Sequence, residues 1–169
     1  MAEFQTRVHA AEVQDQFILL IPVGKKRLID YYRSCDVVLD QFVYGYYGAT
    51  ALEAAAIGKP VVMKLHHEHY APLYGGDVMP ALNAATPVAM GQALLRLVDN
   101  HDFRVQKGLE MRHWLVRNHG EAKTLPLLLA LLRMTADQAS LPEDLVNPLR
   151  AEITEAEQAY HRACLQDAS

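Results

Sequence analysis

The sequence predicts an α/β domain with a parallel sheet, and three observations support this prediction. Short apolar runs alternate with segments of helical character between Phe17 and Leu65. The runs are rich in β-branched residues, which is typical of strands that are buried on both faces. The connections are short helical units, so each strand–helix–strand unit should cross over in the right-handed sense and place its strands parallel.

The first elements follow from the apolar pattern. Residues 1–16 are polar and aperiodic, and we expect them to form a leader. The continuous apolar run Phe17–Val23 predicts a buried strand, Lys25–Ser34 predicts a short helix, and Val37–Asp40 predicts a second buried strand. Cys35, just before that strand, is interpreted as a core thiol.

The next helix and strand are marked by residues that begin and end helices. The segment Thr50–Ile57 is rich in alanine, the residue with the highest helix propensity, and Thr50 is expected to cap its first turn. Gly58 should close this helix, because glycine is favoured just after a helix end, and Pro60 prevents its continuation. Val61–Leu65 then predicts a third strand.

The second half of the chain predicts a long loop followed by helices. His66–Ala84 is the loop, Thr86–Val98 begins with a threonine cap and a first-turn proline, and Asp102–Arg117 is a further helix. Thr124–Met134 is strongly apolar and is expected to be buried. Leu145–Cys164 carries an apolar stripe that predicts an amphipathic helix. The resulting division is a leader over 1–16, a main domain over 17–134 and a C-terminal helix over 135–169.

Composition excludes several functional classes. The 169 residues are 51% hydrophobic and 21% charged, which is typical of a globular protein and not of a disordered chain. The net charge of −4 provides no basic surface for nucleic acid. Two cysteines, Cys35 and Cys164, are too few for a disulfide scaffold. Because no apolar stretch approaches the roughly 18 residues of a membrane span, we expect a soluble, cytoplasmic domain.

The segment from Asp40 to Leu65 points most directly to chemistry. Its glycine loop, with Gly45 and Gly48, leads into a helix N-terminus, where free amides and a positive partial charge suit a diphosphate. Glu53 lies one turn further, about 5 Å along the helix axis. From there its carboxylate can accept hydrogen bonds from a ribose diol. Ligands of open α/β sheets bind at the carboxyl ends of strands, where this loop falls.

Three stretches carry a family resemblance. They are Tyr31–Asp40, Gly45–Val62 and Leu94–Asn100, the last followed by Arg104, Gly108 and Arg112. Together they resemble the donor-binding, C-terminal lobe of retaining GT-B glycosyltransferases, and Glu53–Val62 is the strongest part. The resemblance implies a Rossmann-like three-layer α/β/α fold, one half of the GT-B fold, with additional C-terminal helices.

The resemblance also implies site residues. Glu53 matches the glutamate that binds the ribose, and the residues matching the diphosphate-facing loop are Gly48, Ala49 and Thr50. Gly45 takes the place of a glutamate that binds the donor sugar, so that carboxylate is lost unless Asp40 replaces it. Tyr46 and Tyr47 either stack on the base or pack against the neighbouring strand end. No catalytic residue is assigned.

The implied enzyme is a metal-independent, retaining hexosyltransferase. It would move a sugar from a UDP- or GDP-linked donor to a glycan or lipid-linked acceptor, in the setting of polysaccharide assembly, without a cofactor. An N-terminal domain outside this chain would bind the acceptor, and the full-length enzyme would touch the membrane peripherally. The chain alone should bind nucleotide without catalysing transfer, and the Leu145–Cys164 stripe would face the missing domain or form a homodimer. The alternative is a non-catalytic interaction module that keeps this architecture.

The run His66–His69 concentrates residue types that bind metals. Adjacent histidines on a loop rarely converge on one ion, so we predict no metal site here. A supporting role beside the donor is the alternative for Glu68 or His69.

Overall fold

The computed structural model describes residues 2–136, with side chains from residue 3 onward. Its helices are α1 Ala2–Ala10, α2 Lys25–Ser34, α3 Ala49–Ala56, α4 His67–Tyr70, α5 Pro87–Asp99, α6 His101–His119 and α7 Glu121–Ala136. Its strands are β1 Val38–Leu39, β2 Val61–Met63 and β3 Leu82–Asn83, and short 3-10 turns cover Gln14–Gln16 and Pro72–Tyr74. The described chain is therefore α/β, as predicted, and is compatible with a Rossmann-like fold.

The sheet is small and parallel. Its order is β1-β2-β3, with Val38 opposite Val61 and Val62 opposite Leu82. The prediction of parallel strands is confirmed. Two of the three expected strands form, as β1 and β2, and both are shorter than the apolar runs that predicted them. β3 lies inside His66–Ala84, which was predicted to be a loop. The sequence did not reveal this strand, because two residues are too few to show an apolar pattern.

The prediction of a strand over Phe17–Val23 is wrong. No strand forms there, and the side chains of Ile18 and Ile21 are 84% and 80% exposed. An apolar run becomes a buried strand only where a neighbouring strand takes up its backbone hydrogen bonds. None of the described strands pairs with this run. The preceding residues, expected to be aperiodic, contain α1 and a 3-10 turn.

The core is centred on β2. Val61, Val62 and Met63 are all fully buried. Val61 and Met63 pack with the alanines of α3 and with Met111 and Trp114 of α6, whereas Val62 packs with Ala84 and with Leu97 of α5. Successive strand residues point to opposite faces, so side chains cover both faces of β2. Cys35 borders this core, and burial raises the pKa of its thiol.

Two glycines set the contact between α6 and the end of α3. Gly58 ends α3 as predicted, with a φ of +73° that favours glycine. Gly108 of α6 lies against it, and a Cβ added at Gly108 would come within 2.0 Å of the Gly58 carbonyl oxygen. The guanidinium of Arg112 donates to the carbonyl of Ala56 beside this contact. α6 therefore holds α3 in place from its C-terminal end.

The apolar segment Thr124–Met134 forms most of α7 and is not buried as expected. The leucines of this helix are about half exposed: Leu125, Leu127, Leu128, Leu129 and Leu132. Leu125, Leu128, Leu129 and Leu132 follow the i, i+3, i+4, i+7 spacing of one apolar stripe, and Leu127 lies off it. Such a stripe is buried only where another element covers it.

The chain divides into two compact units, Met1–Lys123 and Thr124–Ser169. The predicted amphipathic helix Leu145–Cys164 lies outside the described residues. Among the helices that are described, none combines the length and the apolarity that crossing a membrane requires.

Candidate functional site

The loop between β1 and α3 is built on the side chain of Gln41. Its Oε1 accepts the amides of Val43, Tyr44 and Gly45 at 3.0, 2.7 and 3.3 Å. Its Nε2 donates to the carbonyl of Lys64, just past β2, at 3.2 Å. One half-buried side-chain amide thus satisfies several loop groups and fixes the glycine loop to the end of the sheet. Sequence reasoning missed Gln41, because a single glutamine after a strand has no distinctive pattern.

Gly45 is held in a conformation and a space that only glycine fits. Its φ is +74°, and a Cβ would come 1.8 Å from Cδ2 of His66. The amide of His66 also donates to the carbonyl of Gly45 at 2.8 Å. His66 therefore fills the space that a glutamate at this position would need.

Asp40 follows β1 at the edge of the same loop. Its amide donates to Val62 at 3.2 Å, and its Oδ2 is buried without a hydrogen-bond partner in the described part of the chain. A buried carboxylate oxygen without a partner is costly, which is why such atoms usually meet a ligand or water. Its predicted role as a replacement carboxylate stays a prediction.

The first turn of α3 is open. The helix begins at Ala49, and Gly48 occupies the capping position with extended backbone. The prediction that Thr50 caps this helix is wrong, because the helix begins one residue earlier and places Thr50 inside its first turn. No side chain caps the helix, and Gly48 and Ala49 are exposed. This end of the helix is therefore exposed, and its first amides have no acceptor within the helix.

Glu53 lies on α3 one turn after this open end. Its Oε1 is 2.9 Å from Nζ of Lys25, the first residue of α2. The Glu53 side chain is 20% exposed and the Lys25 side chain 74%. An exposed lysine holds the carboxylate loosely, because surface ion pairs contribute about 0–1 kcal/mol. The sequence did not indicate that α2 would place a cation here.

Tyr47 belongs to an aromatic cluster. Its ring stacks on Tyr70 with centroids 4.4 Å apart and meets Trp114 edge-on at 5.7 Å. Its hydroxyl bonds that of Tyr74. Burial, and then this hydrogen bond, raises the pKa of the Tyr47 phenol. These contacts fit the packing alternative for Tyr47, whereas Tyr46 is exposed beside His69.

Asp77, in the segment before β3, accepts several hydrogen bonds from α6. The Trp114 indole donates to the Asp77 carbonyl at 2.5 Å, and Arg117 donates to both carboxylate oxygens at 3.0 to 3.2 Å. Asn118 adds a hydrogen bond at 2.8 Å. The hydrogen bonds from Arg117 and then Asn118 lower the pKa of the Asp77 carboxyl.

A cavity of about 280 Å³ opens at the carboxyl ends of β1 and β3. It is mostly apolar, and its lining residues are Phe42, Ala84, Ala85, Thr86, Pro87 and Met90. Thr86 also caps α5 as predicted, its hydroxyl accepting from the amide of Ala89 at 3.2 Å. Sequence reasoning did not find this cavity, because Phe42 and Met90 come together only in the folded chain.

The run His66–His69 also gathers polar groups. His66, Glu68 and His69 each offer one metal-binding atom, and these atoms lie within 4.8 Å of one another. A hydrogen bond from its own amide and then one from His66 lower the pKa of the Glu68 carboxyl. Sequence reasoning named all three residues but expected them to diverge.

Comparison with known proteins gives one partial similarity. No family model matches the chain. A stretch of 60 residues is 38% identical to the D-inositol 3-phosphate glycosyltransferase of Xylanimonas cellulosilytica, and it covers 36% of this chain and 14% of that relative. The chain therefore matches only a small part of the relative's length. This similarity supports glycosyl transfer in general terms.

Proposed function

We propose that this chain is the nucleotide-sugar-binding part of a retaining GT-B glycosyltransferase, with the Rossmann-like three-layer architecture that this implies. The observation that carries the proposal is the open first turn of α3 with the Glu53 carboxylate one turn behind it. Both lie on the helix that follows the loop at the carboxyl end of β1, and α/β sheets bind their ligands at such strand ends. The partial similarity to a glycosyltransferase supports the same reaction class.

In this proposal the diphosphate binds at the start of α3. The amides of Ala49 and Thr50 have no side-chain cap to satisfy them. A helix N-terminus carries about half a positive charge, which favours an anion at that point. Gly48 is exposed, and a Cβ there would meet nothing within 4 Å, so a ligand can approach the backbone closely.

The nucleoside is proposed to lie along α3, with Glu53 accepting hydrogen bonds from both ribose hydroxyls. Lys25 supplies a cation beside the same carboxylate. When the donor binds, the ribose takes over part of the Glu53 carboxylate, and the exposed ammonium of Lys25 becomes available to offset phosphate charge. Asp40, with its unpartnered buried oxygen, is the proposed contact to the sugar.

The proposed reaction is transfer of a hexose from a UDP- or GDP-linked donor to a glycan or lipid-linked acceptor, without a metal at the reacting bond. The acceptor would be bound by an N-terminal domain outside this chain, so the chain alone is proposed to bind the nucleotide without transferring the sugar.

Calorimetry with UDP, GDP and their sugars tests donor binding. We expect one nucleotide to bind and Glu53→Gln to weaken its Kd at least tenfold, because a hydrogen bond to a charged group contributes about 1.5–3 kcal/mol. Glu110→Gln is the matched control, since Glu110 also pairs with a lysine on a helix, at 2.6 Å from Lys107. The control should change Kd less than twofold. Absence of binding by every nucleotide, or equal losses in both variants, would contradict the proposal.

A second candidate function is a non-catalytic interaction module. The specific observation in its favour is that His66 fills the space a carboxylate at Gly45 would need. A thermal-shift screen separates the two candidates, because a ligand at 100 times its Kd adds about 2.7 kcal/mol of stability. No shift with any nucleotide or nucleotide sugar would favour the interaction module.

A further inference from the structure

We propose that His66, Glu68 and His69 bind one divalent transition-metal ion, of which Zn²⁺ is the reference case. Two imidazoles and one carboxylate suit Zn²⁺ and its neighbours Co²⁺ and Ni²⁺, whereas Mg²⁺ and Ca²⁺ require oxygen ligands. The three ligand atoms already lie within 4.8 Å of one another. Tetrahedral ligands at Zn²⁺ are about 3.3 Å apart, so small side-chain rotations complete the site.

The backbone around α4 creates this convergence. His66 stands just before the helix, and its amide is tied to the Gly45 carbonyl at 2.8 Å. The amide of His69 donates back to the carbonyl of His66 at 3.1 Å. This tight turn brings the first and fourth residues of the run to the same side. An extended loop would have sent neighbouring side chains in opposite directions.

His66 is oriented before any ion binds. Its ring is wedged against Gly45, where a Cβ would come 1.8 Å from Cδ2, and its side chain is only 25% exposed. Nε2 is buried without a partner among the described residues, which leaves Nδ1 as the accessible nitrogen. Nδ1 lies 2.8 Å from Oε1 of Glu68. A metal ion between these atoms replaces the proton that they share.

His69 is oriented by Tyr46. The two rings stack with centroids 5.8 Å apart and an interplanar angle of 19°, and Nδ1 of His69 is 3.3 Å from the Tyr46 hydroxyl. Metal-binding histidines commonly engage their second nitrogen in such a hydrogen bond, which fixes the ring. The contact with Tyr46 holds the His69 ring beside the other two residues of the cluster. The rings of His66 and His69 have centroids 5.1 Å apart.

A metal ion here would fasten α4 to the glycine loop, because His66 contacts both. Three protein ligands leave one coordination position for water or for a small anion. This site is independent of donor binding at α3, since it shares no residue with Ala49, Thr50 or Glu53. The proposed metal ion takes no part in the sugar transfer, which is proposed to proceed without a metal.

The test is metal binding to the tag-free chain of 169 residues after treatment with a chelator. We expect Zn²⁺ to bind with 1:1 stoichiometry in calorimetry, and Co²⁺ to produce the visible absorption bands of a tetrahedral site. His69→Ala and Glu68→Gln should each weaken the metal Kd at least tenfold. Both side chains are exposed, so these variants should retain the fold, which circular dichroism checks.

His67→Ala is the matched control. His67 is the exposed neighbour within the same helix and is not part of the cluster. Its variant should bind metal within twofold of the parent chain. Absence of stoichiometric binding by the parent chain would overturn the site, as would equal losses in His67→Ala and His69→Ala. A UDP or GDP titration of the same variants keeps this outcome separate from donor binding, which they should leave unchanged.

Discussion

Two apolar segments of this chain look alike in sequence and differ completely in the structure. Phe17–Val23 and Val61–Leu65 are both short and mostly apolar, and each has a glycine or a proline next to one end, Gly24 and Pro60. Val61–Met63 forms the central strand with all three side chains fully buried, whereas Phe17–Ile21 is between 48% and 84% exposed and pairs with none of the described strands. Apolar content is therefore not what separates them.

The difference lies in what surrounds each segment. β2 has a strand on either side, the small alanines of α3 above one face and Leu97 of α5 against the other. The segment before its neighbour β3 contains Asp77, whose carboxylate accepts hydrogen bonds from α6. Strand formation needs strand partners for the backbone as well as core contacts for the side chains. The segment after residue 16 pairs with none of the described strands, and Phe17 packs edge-on against Phe4 of α1, with ring centroids 5.4 Å apart.

The largest effect is expected where α6 meets the turn before β2. Gly108→Ala adds a Cβ that would come 2.0 Å from a backbone oxygen of Gly58, so α6 must move off the core. We expect a loss of about 3 kcal/mol in the free energy of unfolding, measured with urea. Gly91→Ala, in α5 with nothing within 4 Å, is the control and should stabilise by about 0.5–1 kcal/mol. Similar changes in the free energy of unfolding for Gly108→Ala and Gly91→Ala would show that the close contact between Gly108 and Gly58 does not hold α6 against the core.

The next effect tests β2 itself. Val62→Ala removes two methyl groups from a fully buried position, and we expect a loss of about 2 kcal/mol in urea unfolding. Ile18→Ala removes more apolar surface from a side chain that is 84% exposed, and it should change the free energy by less than about 0.5 kcal/mol. Reversal of this order would show that the exposed segment contributes to the core.

A smaller effect is expected at Asp77, through pH. Because its folded pKa lies below the unfolded value of about 3.9, the carboxylate stabilises the protein above that pH. The contribution is lost as the pH falls through the folded pKa. The side chain is 41% exposed, which limits the effect to less than about 1 kcal/mol. Asp77→Asn should reduce the fall in stability between about pH 5 and about pH 2. An unchanged pH profile would show that the Asp77 carboxylate does not stabilise the fold.

The smallest effect is expected from placing a charge on the exposed run. Ile21 is 80% exposed, so Ile21→Lys should leave the urea midpoint within about 0.5 kcal/mol of the parent chain. A loss above about 1 kcal/mol for Ile21→Lys would mean that this run is packed in solution.

The successful predictions concern features that depend on residues close together in the sequence. The start of α5 at Thr86 and Pro87, the end of α3 at Gly58 and the extent of α2 all depend on local propensity and capping. Three of the errors concern burial and pairing: the Phe17–Val23 strand, the burial of Thr124–Met134 and the missing β3. Two others are local, namely the Thr50 cap and the helix α1 in the expected leader. The errors of burial and pairing depend on which distant segment supplies a partner.

The candidate site divides in the same way. Its glycine loop and Glu53 could be read from the sequence, because a glycine loop, a helix and a carboxylate one turn along follow one another in the chain. Three features could not be predicted from the sequence. They are the Lys25 partner of Glu53, the hydrogen bonds of Gln41 to the loop, and the convergence of His66 with Glu68 and His69. Each requires a side-chain direction or a contact between different elements.

The sequence by itself determined an α/β chain with parallel strands and helices that start and stop at identifiable residues, since these follow from local backbone preferences. Only the tertiary structure decided which apolar run became the central strand. It also decided that Gly45 must stay a glycine, because the ring of His66 occupies the neighbouring space. Both outcomes depend on packing between segments far apart in the chain, where space and hydrogen-bond partners are shared.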